Sequence, residues 1–149
     1  MNISISSDHR GYRAKQRIAE MLRNAQHQVE DCGCDSAESC DYPDMAKVAA
    51  GRVSKGESDR AILICGTGLG MSIAANKLCG VRAALCHDEL TAQFSRKHND
   101  ANVLCLPADL IGEQLISLIV NSWLETKFEG GRHARRIEKI HALEKENCD

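Results

Sequence analysis

A chain of 149 residues, 43% hydrophobic and 27% charged, has the size and make-up of one soluble globular domain, expected to span residues 1–149. Its net charge of −2 excludes the broad basic field that nucleic acid selects, and 3% aromatics leave no platform for stacked bases. No apolar run reaches the ~18 residues of a membrane span, and MNISISSDHRG is too short and polar for a secretory leader, so a cytoplasmic protein is expected.

Along the chain, strands and helices alternate. Asn2–Ser6 reads as a first strand and Gly11–Ala25 as a helix. Gln28–Asp31 is a weak second strand, and Tyr42–Pro43 opens a helix with Met45, Val48, Ala49 and Val53 on one face. Ala61–Ile64 is a short apolar strand, continued after a glycine turn by a helix over Met71–Lys77. Val81–Cys86 is a fourth strand, followed by a helix to about His98, and Asn102–Leu106 is a fifth. Leu110–Lys127 reads as a long helix with Ile111, Leu115, Leu118, Ile119 and Trp123 at helical spacing. Gly130–Gly131 breaks it, and Arg132–Glu146 is a last helix. Five short strands separated by helices predict a parallel sheet covered on both faces. Ligands of such sheets bind beyond the carboxyl ends of the strands, which directs attention to Asp8–His9, Cys65–Gly70, His87–Asp88 and Asp109. His98–Asn99 arrives by another route, at the end of a helix.

Eight cysteines, at positions 32, 34, 40, 65, 79, 86, 105 and 148, form no CxxC unit. In a reducing compartment most serve as small core residues. Cys32, Cys34 and Cys40 with His27 nearby offer metal-ligand chemistry, but their irregular spacing favours a mobile loop. No metal and no cofactor are expected.

The stretch ILICGTGLGMSIAANK is the most informative. It misses the dinucleotide fingerprint, because the third glycine falls on Met71 or Ile73. It lacks the Lys-Ser or Lys-Thr pair of a P-loop, and a cysteine phosphatase needs an arginine where Met71 stands. What remains is a glycine turn whose amide groups converge on an anion, with a helix start behind it and the Cys65 thiol at the rim. The same fields favour a thiolate. A base beside amide donors suits proton abstraction next to a carbonyl, since the charge then moves onto oxygen. Taken alone, Cys65 also fits a buried structural cysteine before a tight turn.

SDHRG, DYPD, ILICGTGLGMSIAANK, SRKHNDANVL and FEGGRHARRI, in this order over nearly the whole chain, resemble the ribose-5-phosphate isomerase B family, which includes the allose- and galactose-6-phosphate isomerases. The resemblance implies a Rossmann-like three-layer α/β sandwich and a homodimer, or two such pairs as a tetramer, with active sites shared between subunits. It implies metal-free aldose–ketose isomerisation of a sugar phosphate, ribose 5-phosphate to ribulose 5-phosphate, through an enediolate. Cys65 would then be the base, with the Gly66, Gly68 and Gly70 amides and the Thr67 hydroxyl around the enediolate. His98 would open the furanose ring, Asp8 and Asn99 would bind sugar hydroxyls, and Tyr42 would lie near the sugar. His9, Arg132 and Arg136 would hold the phosphate.

The residues themselves support part of this. Arg132 and Arg136 are four apart on one helix face and suit a phosphate dianion, although a solvated basic face has the same pattern. Asp8 fits a helix cap equally well. One departure stands out: where many family members carry an arginine after the fifth strand, this chain has Asp109. A six-carbon sugar phosphate is therefore a rival substrate. A non-catalytic sugar-phosphate-binding subunit and a redox-regulated cysteine protein are rivals of other classes.

Overall fold

The computed structural model describes residues 1–147; Cys148, the eighth cysteine, lies outside the described residues. Five strands form one parallel sheet: β1 (Asn2–Ser7), β2 (Gln28–Asp31), β3 (Arg60–Cys65), β4 (Ala83–Leu85) and β5 (Val103–Pro107), in the order β2-β1-β3-β5-β4. Six helices connect or flank them: α1 (Tyr12–Asn24), α2 (Tyr42–Ser54), α3 (Leu69–Ala75), α4 (Glu89–Asn99), α5 (Glu113–Glu125) and α6 (Arg132–Asn147). The expected parallel α/β architecture is thus present, and the chain turns back across the sheet between β1 and β3, where such folds open a crevice.

Alternation along the central strands divides the core. Ile3, Ile5, Ile62, Ile64, Leu104 and Leu106 join residues of α1 and α5 on one face. Ala61, Leu63, Cys65, Val103 and Cys105 join α2 and α3 on the other. Successive side chains of a strand point to opposite faces, so a strand buried on both sides reads as an unbroken apolar run. That is why RAILIC looks continuous in sequence yet feeds two cores.

Three expectations change. The buried face of α2 is Ala46, Ala49 and Ala50, with Met45 and Val53 at its margins, while Val48 is exposed. Alanines let this helix lie close on the sheet, where the Ser4 hydroxyl donates to the Ala49 carbonyl at 2.9 Å. In α5, Ile116, Ile119, Val120 and Trp123 are buried in the chain's own core and Leu118 is exposed. The apolar content of that helix is therefore used within the chain and gives no separate reason for a dimer. Last, β4 is only three residues long, because Arg82 leaves the ladder: its N–H donates to the Asn102 side chain at 2.8 Å. Among the described residues, no helix is long and apolar enough to cross a membrane.

Candidate active site

At the carboxyl ends of β1 and β3 the chain places Asp8 and Cys65 side by side, with the Asp8 N–H donating to the Ile64 carbonyl at 3.1 Å. Cys65 is the last residue of β3, 4% exposed, and its side chain belongs to the core facing α2 and α3. The turn then bends back so that the Gly68 N–H donates to Cys65 Sγ at 3.1 Å. Thr67 stands exposed at the tip, its hydroxyl accepting from the Leu69 N–H at 3.4 Å.

Each of the three glycines has a different necessity. Gly68 has φ 72°, and a Cβ there would come within 2.5 Å of Leu85 and 3.1 Å of the Leu106 carbonyl carbon. At Gly70 a Cβ would strike the Tyr42 ring at 2.6 Å, and at Gly66 it would strike Asp109 Oδ2 at 2.6 Å. Tyr42, from the start of α2, therefore lies against the turn, and Asp109 closes its other side.

Asp8 is buried, and its Oδ1 accepts from the Arg10 and Gly11 N–H groups at 2.9 and 3.1 Å. Asp8 thus closes a side-chain turn ahead of α1 and does not cap it, since the N-cap is Gly11 without a side-chain cap, and Oδ2 remains for another partner. His9 is half-buried, its Nδ1 accepting from the Cys40 N–H at 3.4 Å. Asp109 does not face the turn as a lone acid: it is ion-paired with Arg10. Arg10 was not singled out from sequence, although it stands in the SDHRG motif. His87 is exposed, and Asp88 caps α4 through the Thr91 N–H at 2.7 Å. That contact lowers the Asp88 carboxyl below its usual range.

The remaining candidates lie elsewhere. A helix that follows a strand in a parallel sheet runs back along it, so α4 ends at the opposite edge from the glycine turn. Asp100, at φ 43°, stops it. The Asp100 carboxylate holds Arg96 at 2.8 Å and Arg82 at 3.3 Å, and Arg82 Nε donates to the Asn99 carbonyl at 3.0 Å. Asn102 in turn accepts from Ala61 at the start of β3. Cys65 lies at the far end of that strand, so roughly 13–16 Å separates the two edges at ~3.3 Å per residue.

His98 and Asn99 thus do not share an edge with Cys65 in one chain. They share one with α6. The Glu129 N–H donates to the Lys97 carbonyl at 3.1 Å, and left-handed Gly130 and Gly131 (φ 67° and 56°) turn the chain into α6 beside His98. The His98 and His133 rings stack with centroids 4.2 Å apart, and Phe94 stacks on the other side of His98 at 4.9 Å. Arg132 and Arg136 are exposed in the first turns of α6. Burial, then the positive field of His98, Arg132 and Arg136, hold the His133 imidazole below its usual pKa against the pull of Glu129.

Residues 32–41 form a loop between β2 and α2, and among the described residues His27, Cys32, Cys34 and Cys40 do not come together as a group of three donors. Burial and a hydrogen bond with Cys34 push the Cys40 thiol up to about 11, which keeps it protonated and unreactive. Instead, His98, Glu129 and His133 are drawn together. In the sequence, Glu129 and His133 stand out only as members of the FEGGRHARRI motif.

The chain as a whole has close relatives. The sequence profile of the family described as Ribose/Galactose Isomerase matches residues 3–140. Ribose-5-phosphate isomerase B of Escherichia coli is 46% identical over 142 residues, which cover 95% of each chain. Among solved structures, that of ribose-5-phosphate isomerase B from Clostridium thermocellum has a TM-score of 0.97 at 50% identity, covering 98% of this chain and 99% of that one. The enzyme from Mycoplasma genitalium, solved with bound ribulose-5-phosphate, has a TM-score of 0.95 at 47% identity, covering 98% and 97%. With matches of this extent in sequence and in structure, the chain belongs to the ribose/galactose isomerase family.

Proposed function

We propose that this protein interconverts ribose 5-phosphate and ribulose 5-phosphate, with Cys65 as the base. The observation that carries this reading is the Cys65 sulfur held by the Gly68 N–H at the open end of a glycine turn, at the fold's crevice. Relatives at 46–50% identity bearing the name ribose-5-phosphate isomerase B, one of them with bound ribulose-5-phosphate at 47%, support the choice of substrate.

The Cys65 thiolate takes the proton from C2 of the open-chain aldose, and the electron pair moves through C1–C2 onto the carbonyl oxygen. Amide groups of residues 66–70 and the Thr67 hydroxyl stabilise the resulting enediolate. As the O2 hydroxyl proton passes to O1, the thiol returns its proton to C1 and C2=O forms, which gives the ketose, so the thiol ends as thiolate and nothing is consumed. The protein's own groups suffice, without metal or cofactor. Asp8 Oδ2 and Tyr42 stand beside the turn and would orient the sugar.

Ring opening by His98 and phosphate binding by Arg132 and Arg136 require a second copy of the chain. Those groups and Cys65 lie at opposite edges of one sheet, so a complete site takes the glycine turn from one subunit and the α4–α6 junction from its partner. Asn99 and His9 would line the same joint cavity. Such an assembly makes the homodimer an obligate catalytic unit. The abundance of free thiols suits a cytoplasmic setting.

The test is turnover of ribose 5-phosphate by the purified protein, compared with allose 6-phosphate and galactose 6-phosphate. Preference for the five-carbon substrate is expected. A higher kcat/KM for either hexose phosphate would move the protein to another branch of its family, and no turnover of any of the three would defeat the reading.

A further inference from the structure

The loop between β2 and α2 carries three cysteines that the proposed chemistry does not use, and two of them meet. Residue 34 is held at the end of β1: the Ser7 N–H donates to the Gly33 carbonyl and the Cys34 N–H to the Ser7 carbonyl, both at 2.9 Å. The Gly33 N–H donates to Asp31 Oδ1 at 3.1 Å, and Asp31 is ion-paired with the buried Lys15. Residue 40 returns to the same place, its N–H donating to His9 Nδ1 at 3.4 Å. Ser7 and His9 are two residues apart, a span of at most about 7 Å. Between these anchors the Cys34 and Cys40 thiols are hydrogen-bonded to each other. Cys34 Sγ donates to the Ser36 carbonyl at 2.7 Å, which leaves Cys40 as the donor within the pair. Cys32 takes no part: its thiol donates back to the Glu30 carbonyl at 3.7 Å, and it packs against the core facing α2 and α3.

We propose that Cys34 and Cys40 are a dithiol that a hydroperoxide converts into a reversible disulfide, and that this bond weakens sugar-phosphate binding by drawing Cys40 off His9. The effect on binding rests on the roles proposed above for His9 and Tyr42; the disulfide does not.

Disulfide-bonded cysteines have Cα atoms about 4.4–6.8 Å apart, a separation that the anchors at Ser7 and His9 allow. Cys34 is only 7% exposed, which restricts the oxidant to a molecule as small as a hydroperoxide. Cys40 keeps its proton beside Cys34, so Cys34 is the sulfur that meets the oxidant. Its thiolate attacks one peroxide oxygen, the O–O bond breaks, and the departing hydroxide takes up a proton as water. The Cys40 sulfur then attacks the Cys34 sulfenic acid. The S–O bond breaks as the S–S bond forms, and the hydroxyl leaves with the Cys40 proton as a second water. Two thiols and one H₂O₂ thus give one disulfide and two waters, and a dithiol reductant reverses the change by exchange. The sulfurs of a disulfide are about 2.05 Å apart, closer than two hydrogen-bonded thiols, so one residue must move. Residue 34 is pinned to β1 and, through Gly33, to Asp31, whereas residue 40 is held by the long contact with His9. Cys40 is therefore the one that shifts. It frees His9 Nδ1 and carries with it Tyr42, two residues on, whose ring lies against Gly70.

Reduced protein, freed of reductant, is treated with hydrogen peroxide, its remaining thiols are alkylated, and the chain is cleaved after glutamate. Cleavage after Glu38 separates the two cysteines, so two peptides joined through Cys34 and Cys40, with Cys32 alkylated, are expected in the mass spectrum. KM for ribose 5-phosphate should rise about two- to tenfold, the worth of one neutral hydrogen bond, and should return with dithiothreitol. Cys40→Ser and, separately, Cys34→Ser should keep the parental KM, form no link and show no rise in KM after peroxide. A link through Cys32, or no link at all, would overturn the disulfide. An equal rise in KM in Cys40→Ser would overturn the effect on binding, as would an unchanged KM in the linked protein. A link formed in a protein that isomerises no sugar phosphate would defeat the functional reading and leave the disulfide standing; full turnover with no link would do the opposite.

Discussion

After β3 the chain offers its backbone: a left-handed Gly68, a sulfur held by an amide, and glycines where Cβ atoms would collide with Tyr42, Asp109 and Leu85. At the α4–α6 junction it offers side chains instead, with stacked imidazoles, a half-exposed carboxylate and two exposed guanidinium groups. The difference matches the tasks proposed for them. Charge that develops on a substrate oxygen is best met by donors fixed before the reaction, and a turn braced on the sheet supplies them. A phosphate that must enter and leave is better met by long side chains at the surface, whose charge is permanent and whose geometry adapts.

The sharpest way to break this contrast is to remove the one reactive side chain of the first region. Cys65→Ala should lower kcat by about 10²–10⁴ while leaving the fold and phosphate binding nearly intact, because the turn is made of backbone. Mixing that variant with His98→Asn should then restore part of the activity after subunit exchange, since one intact joint site can form. Near-normal turnover by Cys65→Ala would end the assignment, and a fully active monomer at high dilution would end the two-subunit scheme.

In the second region, Arg132→Ala or Arg136→Ala should raise KM by roughly ten- to a hundredfold, from about 1.5–3 kcal/mol per charge-assisted bond. Loss of kcat would accompany it if phosphate binding also orients the reacting carbons. The thermal midpoint should not move, because both residues are exposed and neither is in an ion pair among the described residues. Parental KM values would defeat the phosphate role.

Backbone in the first region and side chains in the second should also respond differently to stability probes. Gly68→Ala should cost about 1–3 kcal/mol, from strain at positive φ, visible as a lower denaturant midpoint. The second region should instead be sensitive to pH. Because the folded state holds His133 below its usual pKa, the unfolded chain binds its proton first as pH falls. Stability from this residue is therefore full above the ordinary histidine value of about 6.5 and declines below it. His133→Gln should flatten that part of the stability profile, and an unchanged slope would show that other groups carry it.

The smallest effect concerns Asp109. Its pair with Arg10 is exposed at 35% and 57%, a class of contact worth about 0–1 kcal/mol. Asp109→Arg should break it and leave KM unchanged or raised, because the position serves Arg10 and not the phosphate. A lowered KM would return the position to the phosphate site.

Much of this was legible in the residues. The RAILIC run, the glycine spacing and the apolar strands predicted the parallel sheet and put Cys65 at the crevice, because strand burial and turn geometry depend on near neighbours. The helical spacing of Arg132 and Arg136 on α6 was readable for the same reason, whereas the cap expected at Asp8 is a turn onto Arg10 and Gly11 ahead of the helix. Boundaries moved by one to three residues, and at β4 the cause is visible, because the Asn102 side chain takes the Arg82 N–H from the ladder.

What the sequence could not decide was which distant groups meet. Helical spacing identified α5 as apolar but did not say that its residues would be consumed by the core beneath it. Asp109 read as an isolated acid until the β1–α1 loop brought Arg10 to it. EGGRH was a motif without geometry until two left-handed glycines folded Glu129 and His133 onto His98. The separation of His98 from Cys65 follows from the insertion of β5 between β3 and β4 and from the return direction of α4. Local composition sets which residues are buried and where the chain turns; strand order and crossover direction, which arise from packing the whole sheet, determine which buried and exposed groups become neighbours.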